Sequence, residues 1–105
     1  MTSRRRPMQR IGELVPEAAR HLGLEDELRL ARAMTTWAMI VAERVPAAAG
    51  ATRLVRLDGL ALVVEANHAL VAQELRLRAP ELLAAFASAP GGLPVRELRL
   101  GVRRV

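Results

Sequence analysis

The chain has 105 residues, 51% of them hydrophobic and 26% charged, which suits one folded domain with a modest core rather than a disordered protein. It contains no cysteine, so disulfides and thiolate metal sites are excluded and a reducing, cytoplasmic setting is expected. The formal net charge is +5, and all 16 basic residues are arginine.

The charge is unevenly placed. The first ten residues hold four arginines and no acid (+4), and the last ten hold four arginines against Glu97 (+3). The residues between hold eight arginines against ten acids (−2). Termini often lie close together on a domain surface, so the two basic ends can form one patch that attracts polyanions such as nucleic acid. The plainer reading is a solubilising arginine fringe. The apolar runs, Trp37 to Ala42 and Leu60 to Val64, are far shorter than the ~20 residues of a membrane span. Gln9 and Arg10 stand where a signal peptide would have its apolar core.

In chain order, residues 1–7 read as a flexible basic tail ahead of a single domain over residues 8–105. A first helix is expected from Met8 or Ile11 to Leu22, with Pro16 as a kink or restart and Gly23 as its stop. A second helix then opens on Glu25, Asp26 and Glu27, where the helix dipole favours acids. Its apolar positions make two adjoining stripes, Leu24, Leu28, Ala31, Thr35, Ala38, Ala42, Val45 and Leu30, Met34, Trp37, Val41. Such a helix is buried widely or docks a partner. Pro46 closes it.

Thr52 to Leu57 is expected as a strand with Arg53 and Arg56 on opposite faces. Asp58-Gly59 signals a hairpin turn into a second strand, in which Leu60, Leu62, Val64 and Ala66 alternate with Ala61, Val63 and Glu65. A strand apolar on both faces is normally central or covered twice. Asn67 suits the N-cap of a third helix whose core face is Val71, Leu75, Leu82 and Phe86, kinked or restarted at Pro80. Residues 88–94 form a loop. A last strand runs from Val95 to Val105 with Leu98, Leu100 and Val102 inward. The fold class is therefore α+β, ordered helix, helix, strand, strand, kinked helix, strand, with helices packed on a three-stranded sheet.

Catalytic chemistry is not visible. His21 and His68 fit helix ends, and no cluster of carboxylates or thiolates suggests a metal. Ser3 and Ser88 have no base nearby in the chain, and Gly91-Gly92 lacks the spacing and the lysine of a phosphate-binding loop. We expect no enzyme activity, no cofactor and no metal. The aromatic residues are Trp37 and Phe86, both on core stripes, so no ring is left to stack on bases. Nucleic-acid contacts should be electrostatic and indifferent to sequence.

The order of the segments and their text resemble the DciA family of bacterial replicative-helicase loaders. The resemblance rests on Arg6 to Pro16 (Arg-Pro-Met-Gln-Arg-Ile-Gly-Glu-Leu-Val-Pro), Leu28 to Arg32, Trp37 to Val41, Thr52-Arg53 and Asp58 to Glu65. It continues through Ala72-Gln-Glu-Leu75, Ala79 to Leu83 and Val95 to Arg103, essentially the whole chain. It implies a KH-like fold, binding to the DnaB-type replicative helicase and to single-stranded DNA, and no nucleotide hydrolysis. On that reading DNA follows Arg4, Arg5, Arg6, Arg53, Arg56, Arg96, Arg99, Arg103 and Arg104. The helicase meets the second helix at Trp37 and the third at Val71, Gln73 and Glu74. Two alternatives are a KH-like RNA-binding module, which needs a glycine-flanked loop between two helices, and a self-associating domain, suggested by the doubly apolar strand Leu60 to Ala66.

Overall fold

The computed structural model describes the backbone of residues 7–103 and the side chains of residues 23–103. Among the described residues, the elements run α1 (Pro7–Arg44), a 3-10 turn (Pro46–Ala48), β1 (Thr52–Asp58), β2 (Ala61–Ala66), α2 (Ala69–Leu77), α3 (Ala79–Ser88) and β3 (Glu97–Val102). The strand order is β1-β2-β3, with β1 and β2 antiparallel and β2 and β3 parallel. The fold is α+β, as the sequence predicts, and β2 is the central strand that its two apolar faces imply.

The first two predicted helices are one. α1 runs through Pro16 and Gly23 without interruption. A glycine stops a helix by turning to positive φ, which Gly50, Gly59 and Gly91 do and Gly23 does not. Flanked by good helix formers, it continues the helix at a cost of about 1 kcal/mol relative to alanine. Glu25, Asp26 and Glu27 are consequently mid-helix residues, with no N-terminal dipole to complement.

Among the described side chains, the first core residue of α1 is Ala33. Ala33, Trp37, Ile40 and Val41 of α1 pack with Leu54 of β1, Leu62 and Val64 of β2, Leu75 of α2, and Leu82 and Phe86 of α3. Of the two stripes, expected either to be buried widely or to dock a partner, Leu24, Leu28, Ala31, Thr35, Ala38 and Ala42 are exposed. The helix turns its other side, at 33, 36, 37, 40 and 41, to the domain. Trp37 Nε1 donates to Thr52 Oγ1 at 3.0 Å, and Thr36 Oγ1 donates to the Pro90 carbonyl at 3.3 Å. Both bonds tie α1 to distant segments while satisfying polar atoms inside the core.

The hairpin turns one residue later than expected. Asp58 pairs with Ala61, so Gly59, at φ 60, and Leu60 form the two-residue loop. The Leu60 carbonyl accepts from the Arg96 and Glu97 amides at 2.8 and 3.2 Å, anchoring the start of β3. β1 carries a bulge between Leu54 and Arg56, leaving Val55 without a partner. Arg53 pairs with Glu65 and Arg56 with Val63, residues two apart on β2. The two arginines therefore share a face, against strict alternation.

α2 is capped by His68 rather than Asn67: its Nδ1 accepts from the Leu70 amide at 3.1 Å. The Asn67 amide is held by the Ala51 carbonyl at 2.9 Å, which keeps that residue in the strand register. Pro80 lies in the first turn of a separate helix, α3, where its missing amide costs no helical bond. β3 is shorter than predicted; Leu98 and Leu100 pack against the core, but Val102 is 47% exposed.

Candidate nucleic-acid and partner interfaces

The sheet has one face covered by helices and one open. The covered face presents Leu54, Leu62, Val64, Leu98 and Leu100 to the core. Three cross-strand rows order the open face, Asp58–Ala61–Glu97, Arg56–Val63–Arg99 and Arg53–Glu65–Gly101. Arg103 continues the same alternation just past β3, its amide bonded to the Ala66 carbonyl at 2.7 Å. Four predicted DNA-binding arginines, Arg53, Arg56, Arg99 and Arg103, thus share a surface. The bulge at Val55 is what brings Arg56 onto it.

Their electrostatic states differ. Arg53 pairs with Glu65 at 3.3 Å. Arg99 is held by Glu97 at 3.1 Å and by Asp58 at 2.7 Å. The hydrogen bonds that Arg99 donates, first to Glu97 and second to Asp58, raise its pKa above its already high ordinary value, so it stays charged at every accessible pH. Arg56, Arg96 and Arg103 have no ion pair or side-chain hydrogen bond among the described residues. Arg53 and Arg103 also line a shallow cavity of about 280 Å³ at the end of the sheet, beside Asn67 and Gly50. Arg96 is exposed, one residue ahead of β3. Arg4, Arg5, Arg6 and Arg104 lie outside the described residues, as does the proposed meeting of the two basic ends.

A second feature lies between the α1–β1 connector and α2. Val45, Pro46, Ala47, Ala48, Leu70 and Val71 line a groove of about 330 Å³, rimmed by Arg44, Glu74 and Arg78. Arg78 donates to Glu74 at 2.9 Å and to the Arg44 carbonyl at 3.3 Å, and Arg44 pairs with Glu81 at 3.5 Å. The rim is thus pinned by neighbouring ion pairs while the floor stays apolar. Val71 and Glu74 belong to this groove; Gln73 is exposed on the same helix but is not part of the lining. Trp37 is 1% exposed, so its ring has no surface to offer a partner. Sequence reading missed Leu70, 68% exposed, because it falls off the core stripe that Val71 and Leu75 define. An apolar residue on the wrong side of an amphipathic helix was the available signal.

Among the described residues, no group of three or more His, Asp or Glu side chains could hold a metal ion, and no helix is long and apolar enough to cross a membrane. α2 and α3 are joined through Arg78 alone, with no glycine, so the backbone clamp of a KH-type RNA module is not built there.

A family model described as Dna[CI] antecedent, DciA, matches residues 10–100, most of the chain. The chain belongs to the DciA family. That family is associated with loading of the DnaB helicase in DNA replication and is generally non-catalytic. The match runs from within α1 to within β3 and so includes the α2 groove and the sheet face at Arg53, Arg56 and Arg99, while Arg103 lies beyond it. No curated protein matches the chain.

Proposed function

We propose that this DciA-family protein is a cytoplasmic, non-enzymatic adaptor that grips the replicative helicase with the α2 groove and single-stranded DNA with the open sheet face. The observation that carries the DNA half is the register: a one-residue bulge sets Arg56 in the same plane as Arg53, Arg99 and Arg103. Guanidinium groups so arrayed contact phosphates without reading bases, because no aromatic ring stands among them. With Asp58, Glu65 and Glu97 on the same face, the binding is weak and steeply salt-dependent.

The helicase half rests on family membership together with the groove's apolar floor and pinned rim. Co-purification with the replicative helicase tests it. The intact protein should retain helicase on an affinity resin, and Val71→Asp, which puts a charge on the floor, should release at least nine tenths of it. A failure of the intact protein to retain helicase would end this reading.

A further inference from the structure

Between residues 24 and 42, α1 has two apolar faces. One is buried in the domain through Ala33, Trp37, Ile40 and Val41. The other consists of Leu24, Leu28, Ala31, Thr35, Ala38 and Ala42, at alternating steps of four and three residues, the spacing of a heptad seam. Every residue of this second face is exposed. Leu24 and Leu28 expose 58% and 56% of their surface, which an isolated domain has no reason to favour. The loop at Pro90 and Gly91 stands beside the seam, leaving an open groove of about 470 Å³.

The seam is graded in size, with leucines at one end, Ala31 and Thr35 in the middle, and alanines at the other end. We propose that it is the interface of a homodimer in which α1 helices from two copies pair antiparallel. A parallel pair would stack leucine on leucine at one end and alanine on alanine at the other, splaying the helices and opening a gap. The antiparallel pair sets Leu24 against Ala42 of the second copy, Leu28 against Ala38, and Ala31 against Thr35. Large meets small in each layer, so the interhelical distance stays even and the contact packs without voids. The contact is isologous, so it closes at two copies. Met34 and Met39, 37% and 52% exposed, flank the seam and can fill residual gaps. Arg32 meets its own copy near the axis, an opposing term that its long side chain relieves by reaching into solvent.

This dimer is independent of the helicase and DNA reading, and its test uses neither ligand. Because the chain has no cysteine, single cysteines report the pairing directly. Under mild oxidation an equimolar mixture of Leu24→Cys and Ala42→Cys should form a disulfide-linked dimer, and neither variant alone should. In the antiparallel pair the two Leu24 positions lie ~27 Å apart, beyond the roughly 7 Å limit for a disulfide. Self-linking of Leu24→Cys alone would mean a parallel pair and overturn the proposal, as would no linking in the mixture. Leu28→Glu, at an exposed position, should keep the helical circular-dichroism signal while weakening dimerisation at least tenfold in sedimentation equilibrium. An unchanged dimer in that variant would equally overturn it.

Discussion

Arg56 and Arg99 occupy the same row of the open sheet face, on either side of Val63, but only Arg56 is free of carboxylates. A phosphate can take Arg56 directly, whereas it must compete with Glu97 and Asp58 for Arg99. Arg56→Ala should therefore weaken single-stranded DNA binding equally across sequences and reduce the slope of log K against log salt by about 0.7. Glu65→Gln should do the reverse, releasing Arg53 and tightening binding. Fluorescence anisotropy titrations at several salt concentrations measure both, and an unchanged slope in Arg56→Ala would remove the sheet face from the DNA site. Residue-scale packing is equally specific at Gly92, where a Cβ would fall on the Phe86 carbonyl oxygen and close to that of Ala89. Neither obstacle is a flexible side chain. Gly92→Ala should cost about 1–3 kcal/mol in urea unfolding, as overpacking does elsewhere.

At the scale of elements, α1 provides the clearest test. Gly23 is inside the helix, has no positive φ, and has open space where a Cβ would go. Gly23→Ala should raise stability by roughly 0.5–1 kcal/mol. Had Gly23 been a left-handed stop, as the sequence alone suggests, the same change would destabilise; denaturant midpoints distinguish the two. The cap of α2 is testable in the same way. His68→Ala should lose about 1 kcal/mol and Asn67→Ala little, since the Asn67 side chain makes no bond that holds the helix. These positions also show where sequence reading stops. The period of β2, the interruption at Pro80 and the core residues Leu75, Leu82 and Phe86 were legible because local pattern and burial agree there, although a kink and a restart at Pro80 read alike. Two neighbouring residues able to cap one helix, or a glycine able to stop or continue it, present the same local chemistry either way, and tertiary contacts decide. The bulge at Val55 depends on β2, so no period within β1 could reveal that Arg53 and Arg56 share a face. For the candidate site, the arginines were legible by type. Which of them are neutralised was legible only in part: Glu97 stands two residues before Arg99 on the same strand, whereas Glu65 and Asp58 reach Arg53 and Arg99 through cross-strand register.

At the scale of the whole molecule, the helices cover one face of the sheet and leave the arginines on the other. The α2 groove belongs to the helical side, so the proposed helicase and DNA contacts fall on different surfaces. The two activities should therefore separate by mutation. Val71→Asp should abolish helicase retention and leave the DNA salt slope unchanged. The pair Arg56→Ala and Arg103→Ala should lower that slope by about 1.4 and leave helicase retention intact. Both variants change exposed or half-buried positions, so circular dichroism should show the native fold in each. A complex containing helicase, this protein and DNA should form with the intact chain and with neither variant. Mixing the two variants should restore it only if they associate with one another, as two copies joined through α1 would. If Val71→Asp instead lost DNA binding as well, the two surfaces would be one site, and an adaptor with separate grips would be the wrong description of the molecule.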